Sequence, residues 1–176
     1  MENITITIRP VMATDLGTLQ KIGRQTFFET FSATNTRENM AKYLDGDFAM
    51  EKLATQLRND GSSFYFAELN GEAIGYLKLN TGQSQTEPQD DEALEIERIY
   101  VLQAYQGRKV GQMLYEKALQ VAEQKNVPYI WLGVWEQNLR AIRFYQKNGF
   151  TEFNKHVFRL GDAEQTDIMM RKNITV

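Results

Sequence analysis

Residues 94–114 read LEIERIYVLQAYQGRKVGQML, and this stretch decides the fold. Its first part predicts a strand on which Glu95 and Glu97 share one face, because side chains two residues apart in a strand point the same way. A basic turn containing glycine follows at residues 106–111, and apolar residues then recur at helical spacing. Backbone N–H groups at the start of a helix are free and partially positive. The stretch therefore predicts a binding site for phosphate or pyrophosphate.

The turn at residues 106–111 lacks the two most familiar phosphate-binding motifs. Neither the Walker pattern G-x-x-x-x-G-K-[ST] nor the dinucleotide fingerprint G-x-G-x-x-G is present. Arg108 and Lys109 nevertheless supply two formal positive charges. The alternative interpretation of the stretch is an ordinary strand-to-helix turn whose basic pair is solvated.

The composition is that of one globular domain, which we place at residues 1–176. Of the 176 residues, 42% are hydrophobic and 24% are charged, enough for a sizeable core. No apolar run approaches the length of about 18 residues that indicates a membrane span. The N-terminus lacks the basic and apolar regions of a signal peptide. We therefore expect a cytoplasmic protein that does not associate with membranes.

The residue counts also restrict the chemistry. The absence of cysteine excludes disulfides, a thiol nucleophile and a cysteine-ligated zinc. His156 is the only histidine, and we interpret it as structural, so no metal site is expected. The net charge of −3 argues against sequence-independent binding of nucleic acid. It mildly favours a cationic substrate.

The order of the predicted elements indicates an α/β fold. The dipeptide Asn70-Gly71 predicts a hairpin between strands at residues 64–69 and 73–79. Residues 81–92 form a polar loop rich in acids, which we interpret as mobile and solvated. An apolar run at residues 129–134 predicts a fully buried strand. The predicted order is β-α-α-β-β-β-α-β-α-β-β, a mixed, mostly antiparallel central sheet with helices on both faces.

Two motifs resemble those of the GCN5-related N-acetyltransferase (GNAT) superfamily. Gln-Gly-Arg-Lys-Val-Gly at residues 106–111 resembles its pyrophosphate loop, usually written Gln/Arg-x-x-Gly-x-Gly/Ala. Lys109 stands where the middle glycine usually stands, so a backbone φ above zero there would strain the lysine. The motif N-x-x-A-I-x-F-Y-x-x-x-G-F, from Asn138 to Phe150, is also similar to one in the family. The predicted element order matches that of the GNAT fold over about the whole chain.

Four segments narrow the resemblance to one group within the superfamily. They are similar to segments of the PaiA-type spermidine/spermine N-acetyltransferases, which acetylate polyamines with acetyl-coenzyme A (acetyl-CoA). The four segments read FFETFSATNTRENMAKYL, LEIERIYV, WLGVWEQN and GDAEQTD. The resemblance implies an N-acetyltransferase that uses acetyl-CoA as cosubstrate, needs no metal and acts on a primary amine. A polyamine is the expected acceptor.

The resemblance also implies which residues bind coenzyme A. The end of the central strand would hydrogen-bond the pantetheine arm, the loop would bind the pyrophosphate, Asn138 would contact the arm, and Lys147 would reach the phosphates. For Asn138 and Lys147 the alternatives are a helix N-cap and an exposed surface lysine. The full set is Ile99, Tyr100, Val101, Gln106, Gly107, Arg108, Lys109, Val110, Gly111, Asn138 and Lys147.

Acetyl transfer to an amine needs a base for the ammonium proton and an acid for the departing thiolate. By position, Glu95 resembles the glutamate base of histone-type members, and Glu97 replaces it if a bulge shifts the strand. Alternatively, both carboxylates pair with Arg98 or with lysines on a solvated face. Tyr145 resembles the general acid of the family, because a phenol can donate to a thiolate. Its alternative role is core packing.

Acidic and aromatic residues before the predicted hairpin are candidates for binding the acceptor through charge and cation–π contacts. They are Glu29, Glu38 and Asp45, with Phe27, Phe28 or Tyr43. Two other functions stay open: acetylation of a protein N-terminus, an amino acid or an antibiotic, and catalytically weak sensing of acyl-CoA. The sequence also leaves open whether an exposed strand edge pairs with a second copy in a homodimer.

Overall fold

The computed structural model describes residues 4–87 and 90–174. Within these ranges the helices are α1 (Leu16–Phe31), α2 (Arg37–Asp47), α3 (Met50–Arg58), α4 (Val110–Gln124) and α5 (Leu139–Lys147). The strands are β1 (Ile6–Pro10), β2 (Ser62–Leu69), β3 (Glu72–Thr81), β4 (Leu94–Val101), β5 (Tyr129–Trp135), β6 (Thr151–Leu160) and β7 (Ala163–Asn173).

The predicted fold class is confirmed: the sheet is mixed and mostly antiparallel, with helices on both faces. The observed order is β-α-α-α-β-β-β-α-β-α-β-β, so one more helix, α3, precedes β2 than in the predicted order. The spacing of Met50, Leu53 and Leu57 indicates this helix in the sequence. Leu53 is the residue that α3 buries.

The strands form one sheet in the order β1-β2-β3-β4-β5-β7-β6, in which β4 and β5 are the parallel neighbours. These two strands pair only from Leu94 opposite Ile130 to Ile96 opposite Leu132. Beyond that point each strand continues, but the two separate. Among the residues that the structure describes, the separation leaves backbone N–H and C=O groups along the facing edges without a strand partner, so a ligand with amide groups can pair there.

Hydrophobic clusters cover both faces of the sheet. On one face, Leu114 and Ala118 of α4 pack with strand residues such as Ile96. On the other face, Phe27 of α1 packs in a cluster that includes Tyr76 of β3. The helices bury one stripe each, as amphipathic helices do. None of the helices in the described ranges is long and apolar enough to cross a membrane.

The predicted hairpin turn is confirmed, and a glycine ends α5. Asn70 and Gly71 have φ angles of 51° and 80°, and the two-residue hairpin between β2 and β3 needs positive φ at both positions. Gly149 follows α5 with a φ of 95°, the left-handed conformation that ends many helices.

Candidate active site

A cleft of about 750 Å³ opens where β4 and β5 separate, and this size suits a small-molecule ligand. Its lining comes from α1, α2, α3, the loop after β3, and the strands and helix of the C-terminal half. The cleft brings together six of the predicted site residues, which are Glu95, Glu97, Ile99, Tyr100, Asn138 and Tyr145.

Asn80 bridges the two glutamates, and a bulge in β4 lies at the second of them. The register of β3 against β4 shifts by one residue at Glu97, which is the extra residue of the bulge. Nδ2 of Asn80, on β3, donates to Oε1 of Glu95 and to Oε2 of Glu97, at 2.9 Å in each case. Both carboxylates therefore lie on the same face, as their spacing predicts.

Glu97 is held as an ion pair. Its carboxylate pairs closely with Nζ of Lys78, and Nη2 of Arg98 lies 4.0 Å from it. Burial alone would raise the pKa of Glu97, but the charges of Arg98 and Lys78 outweigh burial and hold this pKa below its ordinary value. The bulge meets the condition under which Glu97 would replace Glu95 as base, but a carboxylate with a lowered pKa and a committed cation is a poor proton acceptor.

Glu95 has the opposite electrostatic character. It is buried, and it accepts hydrogen bonds from Asn80, from the backbone N–H of Thr86 at 2.8 Å and from the hydroxyl of Thr86. Burial raises the pKa of Glu95 despite these bonds. Of the two glutamates, Glu95 therefore has the pKa shift expected of a base that works near neutral pH.

Tyr145 projects from α5 into the wall of the cleft and is nearly fully buried. Its ring packs edge-on against Phe144 and Phe150, with centroid distances of 5.3 and 5.5 Å. Burial raises the pKa of Tyr145, so the hydroxyl stays protonated at neutral pH. The residue thus packs in the core and also borders the cleft, and the two interpretations of Tyr145 are compatible.

The loop before α4 has a left-handed backbone at two positions. Gly107 has a φ of 81°, and Lys109, the N-cap of α4, has a φ of 63° and a ψ of 17°. The first hydrogen bond of the helix runs from the N–H of Met113 to the carbonyl of Lys109 at 3.1 Å. The N–H groups of Val110 and Gly111 precede this bond and are free to bind an anion.

The strain at Lys109 gives a testable expectation. A lysine in the left-handed region costs about 1 kcal/mol, and glycine does not bear this cost. Lys109→Gly and Lys109→Ala both remove the charge, but only glycine relaxes the backbone. We expect the glycine variant to be the more stable of the two by roughly 1 kcal/mol, or about 2–4 °C in Tm, measured by thermal unfolding. Equal melting temperatures would contradict a strained Lys109.

Basic side chains from two elements flank this loop. Arg108 lies over the ring of Tyr105 at 5.5 Å. Nη1 of Arg140, on α5, donates to Oε1 of Gln106 at 2.9 Å. Sequence reasoning missed Arg140, although it stands two residues after Asn138 in the second motif. The positive loop, the helix N-terminus and the separated strand edges together fit a pyrophosphate joined to an extended arm that carries amides.

Of the remaining predicted contacts for coenzyme A, Asn138 lines the cleft, and Val101 and Lys147 do not. Oδ1 of Asn138 accepts from the N–H of Ala141 at 3.2 Å, so this residue caps α5 and also lines the cleft. Val101 is outside the cleft lining, and its carbonyl accepts from Nε2 of Gln106 at 3.3 Å. Lys147 is exposed in the last turn of α5. Phosphate binding by Lys147 stays a prediction.

Only some of the candidates for binding the acceptor lie in the cleft. Phe27 and Tyr43 line the cleft, but Phe28 is exposed and outside the lining. The predicted acids Glu29, Glu38 and Asp45 also lie outside the lining, and Asp47 lies within it. Asp47 follows Tyr43 by one helical turn and so lies on the same face of α2. This spacing is the signal in the sequence that could have identified Asp47.

The loop after β3 contacts the site instead of extending freely into solvent. Thr86 binds Glu95 as described above, and Oε1 of Gln85 accepts from Nε1 of Trp131 at 2.7 Å. His156, interpreted as structural, in fact lines the cleft between Glu87 and Asp167. Pro88 and Gln89 of this loop lie outside the described residues. Among the described residues, no group of His, Cys, Asp or Glu side chains could hold a metal ion.

Comparisons with known proteins establish the family of this chain. The model of the acetyltransferase (GNAT) family matches residues 24–150. A protein of Lactobacillus delbrueckii subsp. lactis, named an uncharacterized N-acetyltransferase in the pepI 3′ region, is 41% identical over 167 residues, covering 95% of this chain and 96% of that protein. A spermidine N(1)-acetyltransferase of Thermoplasma acidophilum is 24% identical over 173 residues, covering 96% and 98%.

A solved structure shares the fold. The PaiA N-acetyltransferase from Thermoplasma acidophilum, in complex with coenzyme A, superimposes with a TM-score of 0.80 at 23% identity, covering 97% of this chain and all of that one. GNAT enzymes use acetyl-CoA. With a family match over most of the chain and a relative at 41% identity, the protein belongs to the GNAT family of N-acetyltransferases.

Proposed function

We propose that this N-acetyltransferase moves acetyl from acetyl-CoA to a primary amine of a polyamine such as spermidine or spermine. The observation that carries the proposal is the character of the cleft. The described residues that line it include six carboxylates and only three basic side chains besides His156, which are those of Lys52, Arg98 and Arg159. Phe27 and Tyr43, whose rings stack at 4.3 Å, form part of an aromatic wall. An acidic, aromatic cleft favours a flexible polycation.

The spermidine N(1)-acetyltransferase among the relatives supports the same acceptor. When bound, acetyl-CoA supplies the activated acetyl group. The free N–H groups of Val110 and Gly111, with Arg108 and Arg140 beside them, would hold its pyrophosphate by charge and hydrogen bonds. The unpaired edge of β4 at Ile99 would hold the pantetheine arm.

Glu95 is the proposed base. An alkyl ammonium, like that of lysine, has a pKa of about 10.4, so the amine must lose a proton before its nitrogen attacks. The raised pKa of Glu95 makes this carboxylate the better acceptor, directly or through a water held near Thr86. Glu97 instead anchors Lys78 and Asn80 beneath it, which fixes the position of Glu95.

Tyr145 is the proposed acid. Its hydroxyl, kept protonated by burial, would donate its proton to the sulfur of coenzyme A as the thiolate leaves. Within residues 4–87 and 90–174, no hydrogen bond from this hydroxyl to another residue is seen. The phenol proton is therefore not committed to a protein acceptor.

The test is the release of free thiol from acetyl-CoA across a panel of amines. The panel contains spermidine, spermine, lysine, a peptide with a free N-terminus and an aminoglycoside. We expect the highest kcat/KM with the polyamines. A higher kcat/KM with any other class would overturn the polyamine assignment. Binding of acetyl-CoA without turnover of any amine would instead indicate an acyl-CoA sensor.

One observation favours a second candidate, an amino acid or peptide acceptor. The guanidinium of Arg98 lies at 4.8 Å over the ring of Phe48, and Arg98 lines the cleft. Its Nη1 is buried and has no hydrogen-bond partner among the described residues. A carboxylate on the acceptor could satisfy this nitrogen. The lysine and peptide members of the panel test this alternative directly.

A further inference from the structure

Four of the six carboxylates that line the cleft already have close partners. These carboxylates and their partners are Glu97 with Lys78, Glu95 with Asn80 and Thr86, Asp47 with Lys52 at 2.8 Å, and Glu164 with Arg159 at 2.9 Å. Each of the four is compensated by a cation or by hydrogen bonds. An added ammonium would have to compete with groups that are in place.

The other two carboxylates, Glu87 and Asp167, face the same imidazole. The nearest carboxylate oxygens lie 3.6 Å from Nδ1 and Nε2 of His156, beyond hydrogen-bonding distance. In the described part of the chain no other ion pair or hydrogen bond to the Asp167 side chain is seen. Burial raises the pKa of Asp167, and His156 opposes this only in part. Asp167 is therefore a carboxylate that lacks a full countercharge.

The strand register explains why Asp167 points into the cleft. Trp135 of β5, Asp167 of β7 and His156 of β6 lie directly opposite one another, so their side chains share the face that carries Glu95. Gly133 adds no side chain here, and a Cβ on it would lie 3.3 Å from Cε1 of His156 and 3.6 Å from Oδ2 of Asp167. The backbone of Gly133 is exposed, so the floor beside the carboxylate is bare backbone, and the absence of a side chain keeps His156 and Asp167 from being crowded.

Aromatic rings lead up to this carboxylate. Phe31 lies 5.7 Å from Trp135 and 6.4 Å from Phe158, measured between ring centroids, and all three residues line the cleft. Rings of this kind pack against methylene groups and attract cations by their faces. The wall suits an alkyl chain that ends in an ammonium.

We propose that Asp167 binds a second ammonium group of the acceptor and thereby makes the enzyme select diamines and polyamines over monoamines. The assignment rests on the proposed polyamine function and identifies the residue that recognises the second ammonium group of the substrate. The amine to be acetylated lies at the Glu95 and Tyr145 end of the cleft, and the alkyl chain follows the aromatic wall to Asp167. Glu87, on the other side of His156, adds to the negative potential.

The experiment compares linear diamines of increasing length with alkyl monoamines of matched length. Asp167→Asn keeps the shape of the side chain and removes its charge. Since a hydrogen bond to a charged group contributes about 1.5–3 kcal/mol, we expect kcat/KM for the preferred diamine to fall roughly 10- to 100-fold. The kcat/KM for monoamines and the KM for acetyl-CoA should stay within about two-fold of wild type, because neither involves Asp167.

Two further variants separate binding from structure. Glu164→Gln removes a cleft carboxylate that is paired with Arg159, and it should leave the diamine preference unchanged. Asp167→Glu keeps the charge on a longer side chain, so the preference should persist while the best diamine becomes shorter. Equal losses for diamines and monoamines in Asp167→Asn would overturn the proposal in favour of a structural role.

The outcome for the wild-type enzyme distinguishes this proposal from the one on which it rests. A wild type that turns over no amine, or that does not prefer a diamine to its matched monoamine, would overturn both. A wild type that prefers diamines, together with an Asp167→Asn variant that keeps the full preference, would overturn the Asp167 assignment alone.

Discussion

Replacing Tyr145 with phenylalanine should lower kcat by roughly 10²- to 10⁴-fold, the usual contribution of a positioned general acid. The change removes one hydroxyl and leaves the ring in its contacts with Phe144 and Phe150. The KM for acetyl-CoA should change little. The free energy of unfolding should stay within about 1 kcal/mol of wild type, because no buried partner is left unsatisfied. Thiol release and chemical denaturation measure the two effects.

Tyr115→Phe is the matched control for Tyr145→Phe. Tyr115 is also buried, but it lies on α4, outside the cleft lining, and its hydroxyl accepts from Nζ of Lys172 at 3.1 Å. Loss of this hydroxyl should cost about 1 kcal/mol of stability and leave kcat near the wild-type value. A kcat within about two-fold of wild type in Tyr145→Phe would reduce Tyr145 to a packing residue.

The parts of the site that are local in sequence could be predicted from it. The two-residue spacing of Glu95 and Glu97 places them on one face, and the turn at residues 106–111 precedes a helix as expected. The motif position of Lys109, where the family usually has glycine, raised the question of a positive φ, and the structure has a φ of 63° there. Each of these inferences needs only neighbouring residues and the geometry of a strand or a helix.

The parts that depend on the register between paired strands were not predicted. Of the two glutamates, only Glu97 pairs with Lys78, so the pKa of Glu95 is the one that stays raised. This difference depends on β3, which places Lys78 against the bulge in β4. The position of Asp167 beside His156 depends on the register of β6 against β7, and a shift of one residue would turn either side chain to the other face. Hydrophobic periodicity gives strands and faces, but it does not give this register.

Replacing Glu95 with glutamine should lower kcat/KM for the amine by roughly 10²- to 10⁴-fold, as expected for loss of a general base. Glutamine can keep the local contacts. Its Oε1 can accept from Asn80 and from the N–H of Thr86, and its Nε2 can donate to the Thr86 hydroxyl, which then acts as acceptor. The loss of activity would therefore report the missing base and not a collapsed site.

The pH profile gives a second measure of Glu95 as base. Because the pKa of Glu95 is raised, wild-type kcat/KM should fall as the pH drops through this pKa, above the ordinary carboxyl range. The glutamine variant should lack this limb and keep only the dependence that comes from ionisation of the amine. An unchanged limb in the variant would assign the base to another group.

Glu97→Gln provides the contrast, because it removes the anion that holds the buried ammonium of Lys78. We expect it to destabilise the fold by roughly 3–5 kcal/mol.

Glu95→Gln should instead be at least as stable as wild type at pH 7. A raised pKa means that the native state binds more protons than the unfolded state, so ionisation of Glu95 lowers stability as the pH rises. The advantage of the glutamine variant should shrink as the pH falls below the ordinary carboxyl pKa, where Glu95 is protonated in both states. If Glu95→Gln proved as destabilising as Glu97→Gln, Glu95 would be a second structural anchor and the base would have to be sought elsewhere in the cleft.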